Sequence, residues 1–116
     1  MITKRLLVPL FFIVFSSLAA ALPQEPVQLT SGQVSGVALD SGVRVYRGIP
    51  FAAPPVGDLR WRAPEAPIPW EGVLTADEFA PVCMQQRSAA LMSEDCLYLN
   101  VWTKADSAAS RLPVMV

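Results

Sequence analysis

Six prolines fall between Pro50 and Pro69, and this density constrains the fold more than any other feature of the chain. Proline lacks the backbone N–H that helix interiors and inner strands require, so neither forms in this proline-rich segment (residues 50–69). Large apolar side chains lie among or next to the prolines: Phe51, Val56, Leu59, Trp61, Ile68 and Trp70. Such apolar area is untypical of a disordered linker, so we expect an irregular segment that packs over the surface of a domain.

Residues 1–21 have the pattern of a secretory signal peptide. Two basic residues precede the apolar run Leu6–Leu18, and Ala19–Ala21 supply the small residues of a cleavage site. A retained membrane anchor is the alternative, but a spanning helix needs about 20 apolar residues, more than this run offers. We therefore expect a cleaved signal peptide, no stable membrane anchor, and a mature chain (residues 22–116) that is secreted or periplasmic.

The charge balance argues against a nucleic-acid partner. Residues 22–116 carry 7 basic and 10 acidic side chains, which gives a formal net charge of −3. The densest basic group is Arg60 and Arg62 on either side of Trp61, and two arginines are too few to follow a phosphate backbone. We expect no nucleic-acid partner.

Two segments that precede the proline-rich segment have the composition of β-strands. Gly32–Leu39 and Val43–Ile49 contain several β-branched residues, and the turn-forming triplet Asp40–Gly42 separates them. This spacing predicts an antiparallel hairpin in which Gly42 adopts a positive φ in a three-residue loop.

The rest of the chain gives weaker signals. Met84–Met92 contains fair helix formers and is compatible with one or two helical turns. Leu97–Thr103 is apolar on both faces, which predicts a central strand, and Leu112–Val116 looks like the beginning of another buried strand. An unfinished buried strand is a liability at a natural terminus, so we expect the chain to be truncated.

Cys83 and Cys96 lie 13 positions apart in a chain that we expect to be exported. Thiols in an oxidising compartment tend to pair, so a disulfide is favoured over two free buried thiols. A metal site is the poorest alternative, because the chain has no histidine and no Cys-x-x-Cys pair.

Two motifs stand out between Tyr46 and Trp102. Tyr46–Gly57 reads YRGIPFAAPPVG and is soon followed by LRWRAP at Leu59–Pro64, and Ser93–Trp102 reads SEDCLYLNVW. In this order, and with a Trp-x-Gly segment at Trp70–Gly72, they resemble the type-B carboxylesterase and lipase family of the α/β-hydrolase superfamily. The resemblance covers most of the chain from about Leu29 onward, and the family includes cholinesterases and the non-catalytic neuroligins.

This resemblance implies an incomplete α/β fold, in which residues 22–116 are the N-terminal part of a carboxylesterase domain: a hairpin, the proline-rich segment and the first central strands. It also implies that Cys83 and Cys96 form the family's first disulfide, and that Arg60 and Glu94 form its buried ion pair. Solvated surface charges are the alternative for Arg60 and Glu94.

Two further expectations concern aromatic residues. Cholinesterases carry an aromatic residue between these cysteines that faces a cationic substrate, whereas Met84–Asp95 has none, so a general carboxylesterase is preferred. Trp61, Trp70 and Trp102 are expected in the core rather than at a ligand.

The residues for ester hydrolysis are absent from the sequence. The reaction needs a serine nucleophile, a histidine base, an acid and an oxyanion hole, and the chain has no histidine and no G-x-S-x-G motif. We therefore assign no catalytic residue, cofactor or metal, and expect the 116-residue chain to be inactive although its parent hydrolyses small-molecule esters. A neuroligin-like adhesion protein and a small disulfide-stapled secreted domain are the alternatives.

Overall fold

The computed structural model describes residues 26–86 and 91–116, so the expected signal peptide lies outside the described residues. The described part contains short strands and two 3₁₀ turns, at Gly57–Leu59 and Ala108–Ser110, and no α-helix. In chain order the strands are β1 (Val27–Leu29), β2 (Gly32–Ser35), β3 (Val37–Ala38), β4 (Arg44–Pro50), β5 (Val73–Thr75), β6 (Val82–Cys83), β7 (Met92–Ser93) and β8 (Tyr98–Thr103).

The strands form three small sheets. Two have three strands, in the orders β1-β2-β5 and β3-β4-β8, and the third is the pair β6-β7. β2 pairs with β5 in parallel, as β6 does with β7, and all other pairs are antiparallel.

The expected hairpin is confirmed for its inner part. β3 and β4 pair antiparallel with Val37 opposite Val45, and the Leu39 N–H donates to the Val43 carbonyl at 2.8 Å. Gly42 in the connecting loop has a φ of 76°, the positive value that the turn requires.

The first strand of that hairpin is shorter than expected, because Gly36 divides Gly32–Leu39 into two strands. β2 belongs to the β1-β2-β5 sheet and β3 to the β3-β4-β8 sheet, so the chain changes sheets at this glycine. An added Cβ at Gly36 would lie 2.6 Å from the Val45 carbonyl oxygen, which shows how closely two backbones approach here. Periodicity cannot reveal such a crossing, since both pieces continue the strand pattern.

A small core lies between the two three-stranded sheets. Val34, Tyr46, Ile49 and Ala76 form one buried cluster, against which the partly buried Leu29 and Leu74 pack. The cluster thus joins β2 and β4 to the segment that follows β5.

A register shift between Tyr46 and Ile49 interrupts the pairing of β4 with β8. Inside it, the Arg47 N–H donates to the Ala76 carbonyl and the Gly48 N–H donates to the Asn100 side-chain oxygen, both at 2.9 Å. The shift therefore leaves these two donors satisfied by groups outside the ladder.

The proline-rich segment is irregular between the end of β4 and Pro69, as expected. Most of its backbone hydrogen bonds join near neighbours in the chain, and Ala53 N–H donates to the Glu65 carbonyl at 3.0 Å. Just beyond the segment, Trp70 N–H donates to the Ser31 carbonyl at 2.9 Å. Its apolar side chains are less buried than expected, because Trp61 is 96% exposed and Ile68 is 67% exposed.

Within the described residues, the second half of the chain differs from the expected pattern. β8 pairs with β4 and with no other strand of the described residues, whereas a central strand has a partner on each side. Leu112–Val116 contains no strand and is exposed, since no described strand lies beside it. In Met84–Met92 the described ends are not helical: Met92 belongs to β7, and residues 87–90 lie outside the described residues.

Candidate functional site

All four residues singled out for the site line one shallow cleft of about 390 Å³. We call it the staple cleft, and its lining comprises Pro55, Arg60, Trp61, Cys83, Met84, Ser93, Glu94 and Cys96. The proline-rich segment forms one wall, and the two cysteine-bearing segments form the other.

A disulfide joins Cys83 to Cys96, with their Cα atoms 5.0 Å apart. Cys83 ends β6, and Cys96 follows β7 by three positions, so the bond holds the segments around two paired strands together. The Val82 N–H also donates to the Leu91 carbonyl at 2.9 Å, which adds one backbone hydrogen bond between the chain segments that carry β6 and β7.

An ion pair connects Arg60 Nη2 to Glu94 Oε2 across the cleft. The 3₁₀ turn Gly57–Leu59 sets the direction of the chain just before Arg60, whose N–H donates to the Gly57 carbonyl at 3.2 Å. The two side chains are 51% and 46% exposed, so the pair is half-buried at most and not the buried pair that the resemblance implies. In the described chain, water reaches the pair from the open side of the cleft.

Because the ion pair is half exposed, we expect its removal to have a small effect. Exposed pairs contribute about 0.2–1 kcal/mol, so Arg60→Met should lower the free energy of unfolding by less than about 1 kcal/mol. Chemical denaturation of Arg60→Met, Glu94→Gln and the double variant gives a double-mutant cycle, from which the coupling energy of the pair is obtained. A coupling energy above about 3 kcal/mol would indicate a buried pair and contradict this expectation.

Asp95, next to the ion pair, organises the start of β8. Its N–H donates to the Ser93 hydroxyl oxygen at 3.1 Å, and the Tyr98 hydroxyl donates to its carboxylate at 3.0 Å. Burial, the hydrogen bond to Asp95 and the negative charge of Asp95 all favour the neutral phenol, and together they raise the pKa of Tyr98 above 10.0.

The raised pKa of Tyr98 predicts a stability loss at alkaline pH. A group whose pKa is higher in the folded state stabilises the fold below its unfolded pKa, and this contribution is lost as pH rises through the folded pKa. We expect unfolding midpoints to fall above pH 10.0, and Tyr98→Phe to weaken that fall. Identical pH profiles for the two proteins would contradict the assignment.

A second, larger cleft of about 550 Å³ lies on the other side of the disulfide. The two cysteines line both clefts, and the disulfide therefore separates them. The remaining lining of the second cleft is Phe79, Ala80, Pro81, Val82, Gln85, Leu91, Tyr98 and Asn100. This lining is mainly apolar and contains no acidic or basic side chain.

Sequence reasoning missed a stack of side chains beside the second cleft. The Arg47 guanidinium lies 5.0 Å from the centre of the Phe79 ring and donates to the Asp77 carbonyl at 2.9 Å. The Phe79 ring in turn lies 6.3 Å from the Trp102 ring. Nothing in the local sequence signals this contact, because it joins residues from three distant segments.

The three tryptophans differ in environment. Trp70 is half-buried, and its indole N–H donates to the Gln33 carbonyl at 2.8 Å. Trp61 is 96% exposed and Trp102 is 54% exposed, so the expectation that both lie in the core is wrong. Trp61 lines the open staple cleft, and Trp102 lies on β8, which has a described partner strand on one side only.

The described residues contain no group of three His, Cys, Asp or Glu side chains that could hold a metal ion. In the same part of the chain, no helix has the length and apolar character needed to cross a membrane. The staple cleft offers a covalent cross-link and an ion pair, which connect segments of the chain.

Comparison with known proteins identifies the class. The carboxylesterase EST55 of Geobacillus stearothermophilus matches with a TM-score of 0.62 and 44% identity, over 68% of this chain and 16% of that one. Such structural neighbours are carboxylesterases of the α/β-hydrolase superfamily, which confirms the expected fold class.

The family model of the carboxylesterase family matches residues 23–116, and the chain belongs to that family. The fumonisin B1 esterase of Sphingopyxis macrogoltabida is 49% identical over 92 residues, which cover 74% of this chain and 17% of the esterase. The para-nitrobenzyl esterase of Bacillus subtilis is 42% identical over 93 residues, which cover 73% and 19%. The chain thus spans about a fifth of the length of the curated relatives that it matches.

Proposed function

We propose that this chain is the N-terminal framework of a secreted serine carboxylesterase that hydrolyses small-molecule carboxylic esters. The observation that carries the proposal is the carboxylesterase-family match over residues 23–116. The two resembling motifs supply the ion pair of the staple cleft, since Arg60 lies in the first and Glu94 in the second.

In this proposal the chain contributes architecture to the reaction, and its residues position other groups. The ion pair attaches the proline-rich segment to Glu94, just before β8, and the disulfide attaches β6 to the same stretch at Cys96. The β4–β8 pairing links β8 to the core. A serine hydrolase gains most from groups held rigidly in place, and such a cross-linked framework is suited to this role.

Residues 1–21 serve as a signal peptide in this proposal, and residues 22–116 as the N-terminal part of the catalytic domain. The basic, apolar and small-residue order of the first segment supports export. The disulfide supports it independently, because such bonds persist in oxidising compartments.

We propose in addition that the 116 residues alone have no esterase activity. Acyl transfer of this type uses a serine, a histidine that takes its proton, and an acid that orients the histidine. The sequence contains neither a histidine nor a G-x-S-x-G motif. No cofactor enters this chemistry, and the partner is the small-molecule ester.

A chimaera tests the framework role. The matching segment of the Bacillus subtilis para-nitrobenzyl esterase is replaced by the aligned residues of this chain, and hydrolysis of a p-nitrophenyl ester is measured. We expect kcat/KM within about tenfold of the host, a difference of about 1.4 kcal/mol in activation free energy.

The control chimaera carries Gly36→Val, which disrupts the sheet crossing and should abolish activity through loss of folding. A chimaera that is soluble and folded by circular dichroism but inactive would contradict the proposed framework role.

A further inference from the structure

The register shift of β4 places Arg47 and Gly48 in a bulge, and this bulge contacts the chain on the way to both cysteines. The Arg47 guanidinium donates to the Asp77 carbonyl at 2.9 Å and lies 5.0 Å from the centre of the Phe79 ring. The Arg47 N–H donates to the Ala76 carbonyl at 2.9 Å. The backbone and the side chain of one residue therefore fix the segment that leads into β6.

Gly48 contacts the same segment and also the strand that follows the second cysteine. An added Cβ at Gly48 would lie 2.9 Å from the Glu78 carbonyl oxygen, so the two backbones lie directly against each other. The Gly48 N–H donates to the side-chain oxygen of Asn100, on β8, at 2.9 Å. The bulge therefore holds the segment before Cys83 on one side and the strand after Cys96 on the other.

The links from these contacts to the two sulfur atoms are short. Phe79 lies four positions before Cys83. Asn100 lies four positions after Cys96. Pro81 stiffens the first link, because its ring fixes its own φ and restricts the residue before it. In the second link, the first residue of β8 donates its N–H to the Cys96 carbonyl at 3.0 Å. A position that is set at the bulge is therefore transmitted to both cysteines.

We propose that Arg47 is a positioning residue for the Cys83–Cys96 disulfide, because it holds the two thiols within reach of each other before the bond forms. Two thiols that are held in place have a higher effective concentration than the same thiols on a flexible loop. The contacts that carry this role lie within residues 47–100, so it depends neither on the chain beyond β8 nor on the proposed esterase activity.

The reaction that reports this role is thiol–disulfide exchange with glutathione. The Cys83 and Cys96 thiols lose two hydrogen atoms and join, and one glutathione disulfide is reduced to two glutathione thiols. The equilibrium constant of this exchange has the unit of a concentration and measures how closely the folded chain holds its two thiols. A contact that only stabilises the whole fold does not change this constant as long as the chain stays folded.

The first test measures this constant for the 116-residue chain in glutathione buffers. Arg47→Met removes the guanidinium, and Arg62→Met is the matched control, because Arg62 is exposed and lies outside every strand. We expect the effective concentration of the thiols to fall about tenfold in Arg47→Met, since a charged hydrogen bond and a cation–π contact are lost together. It should stay unchanged in Arg62→Met. Equal values for the original chain and Arg47→Met, or equal falls in both variants, would overturn the proposal.

The second test remains decisive if Arg47→Met does not fold. Phe79→Leu removes only the ring under the guanidinium, and Phe79 is 63% exposed, so the core stays intact. We expect the effective concentration to fall about threefold, as suits a partly exposed cation–π contact. The control is Leu74→Ala, which weakens the packing against the core cluster away from the bulge and should leave the value unchanged. No fall in Phe79→Leu, or an equal fall in Leu74→Ala, would overturn the proposal.

Discussion

Replacing Gly36 with alanine is expected to lower the free energy of unfolding by about 3 kcal/mol, the upper part of the range for overpacked sites. The new Cβ would lie 2.6 Å from the Val45 carbonyl oxygen and 2.8 Å from the Tyr46 ring. Val45 and Tyr46 are 0% and 7% exposed, so neither neighbour can move into solvent. The crossing between the two sheets would have to open to accept one methyl group.

Gly57→Ala is the matched control for that experiment. The same methyl group meets nothing within 4 Å at Gly57, and only the positive φ of 56° opposes it. This strain costs about 1–2 kcal/mol, so the control should lose less stability than Gly36→Ala. If Gly36→Ala and Gly57→Ala lower the free energy of unfolding equally in urea denaturation, the space around Gly36 in solution is large enough for a methyl group, which contradicts the prediction.

Loss of the Cys83–Cys96 disulfide is the second large effect that we expect. The bond closes a loop with a sequence separation of 13, and cross-links over loops of this length stabilise a protein by about 3 kcal/mol. The double variant Cys83→Ala/Cys96→Ala should therefore unfold at a clearly lower urea concentration. The short pairing of β6 with β7 is expected to be lost with it, because each of these strands has only two residues.

A reductant provides the control for the disulfide experiment. Dithiothreitol should shift the unfolding midpoint of the original chain toward that of the double variant, and should leave the double variant unchanged. If the original chain and the double variant unfold at the same urea concentration, the disulfide does not stabilise the described fold.

The features that local sequence could predict are those with a local physical cause. The turn at Gly42 follows from a triplet that favours positive φ, and the irregular proline-rich segment follows from missing backbone donors. The expected export favoured a disulfide between the cysteines, and the resemblance added the pairing of Arg60 with Glu94. The structure places all four residues around the staple cleft.

The features that sequence could not predict depend on distant neighbours. The role of Gly36 depends on the Val45 carbonyl, which approaches it closely where the chain passes from one sheet to the other. The role of Asn100 depends on the register shift in β4, because its side-chain oxygen accepts the Gly48 N–H there. The expectation of a central β8 came from its apolar faces, and apolar faces show what a strand could bury, not what lies beside it. Trp102 is exposed for the same reason, because no described strand lies on the other side of β8.

The half-exposed ion pair has a related explanation. A bidentate match between a guanidinium and a carboxylate can be inferred from residue types, but burial is a property of the surroundings. In the described chain the staple cleft is open, so solvent screens Arg60 and Glu94. The cross-link therefore contributes more to the stability of this region than the ion pair does.

We propose that these residues frame a carboxylesterase and carry no reactive centre of their own. The most direct measurement is the rate of p-nitrophenyl ester hydrolysis by the purified 116-residue chain, with the Cys83→Ala/Cys96→Ala variant and a protein-free blank in parallel. We expect all three rates to be equal. A rate for the original chain that exceeds the blank and scales with protein concentration would contradict the claim.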